Sequence, residues 1–273
     1  MKIKSAFSTL LFVLVFGGIA TAQIEFAEQK IVQSKGVALG VTDLDMIDEL
    51  MLTMPGLGSN TREMLTEQSV KPYLMPPRQA PDAAQARSYM LAQCLEFYVN
   101  FDRNYKVNLS PDFIELSLGG SDYALSDAFR FLATTGTVSA AILPYESKAI
   151  TAATYATDKY RISNYLHLFH GDQRTRQKIF EIKKALMRGN PALIEMAIPE
   201  DFEDLKNTKM WIPESKTTTK TGLFLVVSYD ENLEMFEILG AYGNEWGRNG
   251  YLWVGYEDLA RLARDGYVFL PEE

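Results

Sequence analysis

Apolar positions in the first half of this 273-residue chain recur at helical spacing, and those in the second half alternate or run together. The clearest helix is predicted over 84–99, with Tyr89, Leu91, Leu95 and Tyr98 among its apolar positions, and shorter ones follow over 111–116 and 123–134. A further helix is expected over 175–188. After it come strand-like runs at Ala192 to Ile198, Leu223 to Tyr229, Met235 to Leu239, Tyr251 to Val254 and Tyr267 to Leu270. Helices first and strands afterwards predict an α+β protein with two lobes.

The N-terminus reads differently. Lys2 and Lys4 precede an apolar run from Leu10 to Phe16, and Ala20 and Ala22 stand at A-x-A spacing before Gln23. This is the pattern of a secretory signal peptide over residues 1–22, too short in its apolar part to span a bilayer. The expected location is therefore periplasmic or extracellular, with no membrane segment after cleavage. Residues 23–68 read as a leader with one amphipathic helix near 43–53 that stops at Pro55-Gly56.

Without residues 1–22 the chain carries 25 basic and 35 acidic side chains, a formal charge of −10, which argues against nucleic acid as a partner. Cys94 is the single cysteine, so no internal disulfide forms. No phosphate-cradling glycine loop, zinc-spaced Cys/His set or repeat is present. The acidic group Asp43, Asp45, Asp48 and Glu49 reads as a solvated helix face. His167 and His170 form an H-x-x-H pair, which without cysteine and with only scattered acids is read as no metal site, and no cofactor is expected.

The stretch from Leu239 to Tyr251, LGAYGNEWGRNGY, resembles the NSWGxxWGxxGY signature of papain-family cysteine peptidases, with Gly243, Trp246, Gly247, Gly250 and Tyr251 in register. Upstream, GLFLVVSYD from Gly222 to Asp230 resembles that family's HAxxVVGYD strand. Leu109-Ser110-Pro111, Gly119-Gly120, Ala128-Phe129 and Pro144-Tyr145 fall where the family has LS, GG, AL and PY. The resemblance spans about residues 68–273. It implies a papain-like two-lobed fold, with a helical lobe over about 84–145, an antiparallel, barrel-like β lobe over about 150–273 and a cleft between them.

By this resemblance the family's glutamine, cysteine, histidine and asparagine positions hold Ala80, Ala86, Gly222 and Gly240, with Gln79 the alternative counterpart of the glutamine. None of these four residues supplies a nucleophile, a titratable nitrogen or a side-chain donor. The expectation is thus a papain-like protein that is not an enzyme, a pseudopeptidase binding a peptide or an exported protein in its interlobe cleft. Gly119, Gly120, Tyr242, Ser88 and Tyr89 are the candidate lining residues. Gly119-Gly120 as a plain turn and Tyr242 as core is an equal reading. Two rivals stand beside it: a hydrolase using Cys94, Asp82 or Glu245, and a structural subunit whose own 23–68 segment fills the cleft.

Overall fold

The computed structural model describes residues 37–56, 66–103, 106–213, 218 and 220–272. The signal peptide expected over 1–22 and residues 57–65 of the leader lie outside the described residues.

The helical lobe is organised by α2 (Ala86–Arg103), which α1 (Leu44–Leu50) of the leader and a 3-10 turn at Lys71–Tyr73 precede. Helix α2 is apolar on nearly all sides, with Met90, Leu91, Cys94, Leu95, Phe97 and Tyr98 buried, so it forms the middle of the lobe rather than its surface. Its one buried acid, Glu96, is held by the Arg78 guanidinium, which reaches both carboxylate oxygens at 2.8 Å, and by the Leu109 N–H at 2.7 Å.

Helix α3 (Pro111–Leu118) starts where sequence chemistry places it: the Ser110 hydroxyl caps the Phe113 N–H and Pro111 occupies the first turn. It ends at Gly119 in the left-handed region, φ 82°. In α4 (Leu125–Thr134) the residues Leu125, Ala128, Phe129 and Leu132 form the buried stripe. Phe129 packs its ring 4.4 Å from Tyr165 and 4.8 Å from Tyr267, which joins this helix to the sheet. The short α5 (Ala152–Ala156) follows.

The second lobe is built on a mostly antiparallel sheet of eight strands: β1 (Glu67–Ser69), β2 (Ile162–Phe169), β3 (Ala192–Ile198), β4 (Met210–Trp211), β5 (Lys220–Asp230), β6 (Met235–Leu239), β7 (Tyr251–Gly255) and β8 (Ala263–Pro271). The order is β2-β8-β3-β5-β6-β7-β4, with β1 added to β5 and only the β4–β7 pair parallel. Helices α6 (Thr175–Met187) and α7 (Tyr256–Leu262) pack against it, burying Ile182, Ala185, Leu186, Leu259 and Ala260.

Residues Leu39–Glu273 form one compact unit. Gly40 and Val41 of the leader are bonded to the edge strand β2: Val41 accepts from His167 N–H and donates to Tyr165 O, and Asn164 Oδ1 accepts from Gly40 N–H at 2.8 Å. Among the described residues no helix is long and apolar enough to cross a membrane.

Candidate functional site

The chain leading into α2 is tied to the segment before the glycine-tryptophan signature. Ala80 N–H donates to Ala241 O at 2.8 Å, Gly243 N–H donates to Arg78 O at 3.0 Å, and Gln79 stands opposite Tyr242. Gly250 completes the junction. Its φ is +83°, and a Cβ there would sit 2.4 Å from Pro77 Cβ, so glycine alone lets the proline pack under the signature loop. Ala80 is buried and Gln79 is exposed beside Gly243, which makes Gln79 the residue with a side-chain amide at this surface.

This junction brings the start of α2 against β5, and a cleft of about 470 Å³ opens between them. One wall comes from Ala83, Ala84, Ala86 and Arg87, with Ser121 and Asp122 beyond α3. The other comes from Ile198, Glu203, Tyr242 and the first residues of β5, including Gly222. The structure therefore brings Ala86, Gly222 and Tyr242 together at one cleft, although 156 residues separate the first from the last. Gly240 lies behind Tyr242, where a Cβ would be 3.0 Å from the tyrosine ring. At Gly222 a Cβ would meet the Phe224 ring at 2.6 Å.

Two of the expected lining residues are placed elsewhere. Ser88 is fully buried with its hydroxyl 2.7 Å from Tyr123 Oη, and Tyr89 is 4% exposed with its ring against Tyr145. Each helical residue turns about 100°, so a wall made by Ala86 and Arg87 leaves the next two positions pointing into the lobe. Gly119 and Gly120 donate their N–H groups to Leu116 O and Glu115 O to finish α3. These two glycines, too, stand outside the cleft lining, which Ser121 and Asp122 reach instead.

Charge of both signs borders the cleft. Arg87 donates to Tyr123 O and stands 3.8 Å from Glu195, and Lys220 pairs with Glu203 at 3.4 Å. Burial, reinforced by the nearby Glu203 carboxylate, pushes the Tyr242 hydroxyl well above the usual phenol range, so the ring stays neutral. It belongs to an aromatic wall: Trp246 lies 5.2 Å away, Phe224 lies 6.1 Å away, and Trp246 Nε1 donates to Phe202 O at 2.9 Å.

The relocated candidates do not converge on this cleft. Cys94 is completely buried, and burial drives its thiol far above the ordinary cysteine value. Asp82 caps the turn before α2 by accepting the Gln85 N–H, and the exposed Glu245 pairs with Lys206 at 3.3 Å. None of the described leader residues lines the cleft either.

The H-x-x-H pair that the sequence analysis set aside as a metal site gains a third member in the structure. His167, at the end of β2, and His170, just after it, meet Asp265 of β8, and one ligand atom from each falls within 4.8 Å of the others. Burial and the neighbouring His170 hold the His167 imidazole below its usual pKa, against the opposing pull of Asp265. No local motif announces the carboxylate, which is 98 residues from His167.

No family model matches the chain. A cysteine proteinase of Theileria parva is 22% identical over 157 residues, 56% of this chain and 34% of the relative, so the chain spans about a third of that protein's length. Xylellain, a cysteine protease from Xylella fastidiosa, superposes with a TM-score of 0.60 at 19% identity, covering 78% of this chain and 90% of that one. Digestive procathepsin L 3 of Tenebrio molitor gives a TM-score of 0.64 at 17% identity, covering 88% and 79%. These likenesses show the papain-like fold, and the α+β architecture with its large antiparallel sheet is the one that the sequence resemblance implied. They also correct one expectation. The sequence reading held that the chain is not an enzyme; its relatives and structural neighbours are cysteine proteases, and possession of a single cysteine does not establish inactivity.

Proposed function

We propose that this relative of the papain-like cysteine peptidases holds an extended peptide in the cleft between α2 and β5. The observation that carries the reading is the convergence of Ala86, Gly222 and Tyr242, from distant parts of the sequence, on one groove of about 470 Å³. Small residues at Ala83, Ala84, Ala86 and Gly222 leave room for a main chain. The Ser121 side chain and the mixed charges of Arg87, Asp122, Glu203 and Lys220 offer it polar partners.

The peptide, or a segment of a partner protein, is met outside the cytoplasm in this reading, in keeping with the signal-like residues 1–22. The domain plan that accompanies it is a leader over 23–68 followed by the papain-like domain over 69–273. The acidic balance of the chain speaks against nucleic acid in the groove.

The test is to incubate the protein with a diverse peptide library and follow intact retained peptides and cleaved products by mass spectrometry. A parallel Ala84→Trp variant fills the groove from an exposed position. Retention lost in the variant supports the reading, and cleavage lost with it adds hydrolysis at the same groove. A protein that neither retains nor cleaves any peptide, or that does so equally well with the groove filled, does not bind peptides there.

A further inference from the structure

We propose that His167, His170 and Asp265 form a binding site for one divalent transition cation of the zinc class, independent of the peptide groove. The three side chains come from two elements that the fold forces together. Strand β2 pairs with β8, and the register shifts between His167 and Phe169, a bulge of the kind that re-aims side chains at a strand end. Gly266 lets the strands close at that point: a Cβ there would lie 2.4 Å from the Phe169 ring. Asp265, one residue before it, is thereby set against the two imidazoles.

Distances suit a shared ion. His167 Nε2 lies 2.8 Å and His170 Nδ1 3.4 Å from Asp265 Oδ1, and the two imidazole centroids are 3.9 Å apart. Ligand atoms about 2.0–2.1 Å from a tetrahedral zinc ion stand roughly 3.3–3.5 Å from one another, so small side-chain rotations accommodate the metal. The His167 ring is already oriented. A hydrogen bond to the Phe169 backbone and the Tyr267 ring stacked at 4.5 Å hold it with Nε2 facing the carboxylate, the outer support that metal-binding histidines use. The turn after it is fixed too, by His170 N–H donating to Gln173 Oε1 and Gln173 N–H donating to His170 O.

Charges of both signs surround the cluster. Asp265 is the direct cross-strand partner of Glu195, a like-charged pair that disfavours the sheet unless a positive charge is near. Glu195 is faced by Arg87 at 3.8 Å, whereas Asp265 pairs with the two imidazoles, and the Lys178 ammonium donates to the carbonyls of Gly171, Ala260 and Ala263. Two imidazoles and one carboxylate select zinc, cobalt, nickel or copper over magnesium or calcium, which require more oxygen ligands. His170 is about half exposed, leaving the fourth coordination position open to water. Bound there, the ion pins the loop after β2 to β8.

The experiment uses the full chain without an affinity tag, titrated calorimetrically with zinc chloride and, separately, with cobalt chloride followed by visible absorption. The expected result is one zinc ion per chain, a cobalt spectrum of tetrahedral or five-coordinate type, and a melting temperature that rises with zinc. His170→Ala and Asp265→Asn, both at partly exposed positions, should each weaken zinc binding by about a hundredfold and abolish the melting shift. If either variant fails to fold, the other, together with His170→Gln, carries the test. Absence of zinc binding at tens of micromolar, binding undiminished in the variants, or equal binding of calcium would each overturn the site.

Discussion

Gly222 and Phe224 are packed so that the ring of the second occupies the space where any side chain on the first would begin, 2.6 Å from an added Cβ. Ile198 closes the same space from β3 at 3.2 Å. Phe224 is itself buried, so it has little freedom to swing away. Gly222→Ala should therefore destabilise the protein by about 1–3 kcal/mol through overpacking. Adding Phe224→Leu should recover part of that loss, and urea denaturation of the two single variants and the double variant measures the coupling. Additive effects would mean that the two residues do not meet.

Arg78 Nη2 donates to both carboxylate oxygens of Glu96 at 2.8 Å, with the carboxylate almost entirely buried. Removing only the guanidinium strands a charge in the helical lobe, at a cost of about 3–5 kcal/mol for Arg78→Met. The double variant Arg78→Met/Glu96→Leu should lose less than the single one. A double variant weaker than the single would show that the pair adds stability beyond mutual neutralisation.

These features differ in how far the sequence displayed them. Strands β3 and β6 are apolar runs interrupted only by Glu195 and Glu237, with apolar residues buried on both faces, and the predicted limits coincide with those in the structure. Strand β2 was missed because its buried face, Ile162, Asn164, Leu166 and Leu168, includes an asparagine, while Tyr165 and His167 occupy the other. Helix α7 was missed because it passes straight into β8 at Ala263, with no glycine or proline to mark the change. At the cleft, the spacing of Gly243, Trp246, Gly247 and Gly250 fixed the register of Gly240 and Tyr242. The helix rotation that turns Ser88 and Tyr89 inward was not used. The His-Asp cluster depends on strand pairing alone, which no local pattern encodes.

Cys94 lies within α2 with no exposure, and burial raises its thiol pKa, so the thiolate is absent from the native state at pH 8. Iodoacetamide at that pH should leave the native protein unlabelled and alkylate it fully in urea. Rapid native labelling, at the rate of a free thiol, would refute this placement.

Asn164 is buried at the sheet edge, and its Oδ1 accepts N–H groups from Gly40 and Tyr165, each at 2.8 Å. Asn164→Leu withdraws that acceptor at a cost of about 1–3 kcal/mol and should loosen the leader first. Limited proteolysis between residues 37 and 43 should accelerate in Asn164→Leu. It should stay slow in Asn164→Asp, which keeps an acceptor oxygen. Equal cutting of both variants would detach the leader's anchorage from this oxygen.

Strand β8 is the last strand in the sequence, yet it is inserted between β2 and β3, pairing with both. During synthesis the two earlier strands must wait, unpaired along those edges, until residues 263–271 have emerged from the ribosome. The sheet is then completed by contacts of large sequence separation, which makes folding slow. The nascent chain consequently passes through a long interval in which its apolar strands are open to chaperones, and the order of its strands, more than any one contact, sets the length of that interval.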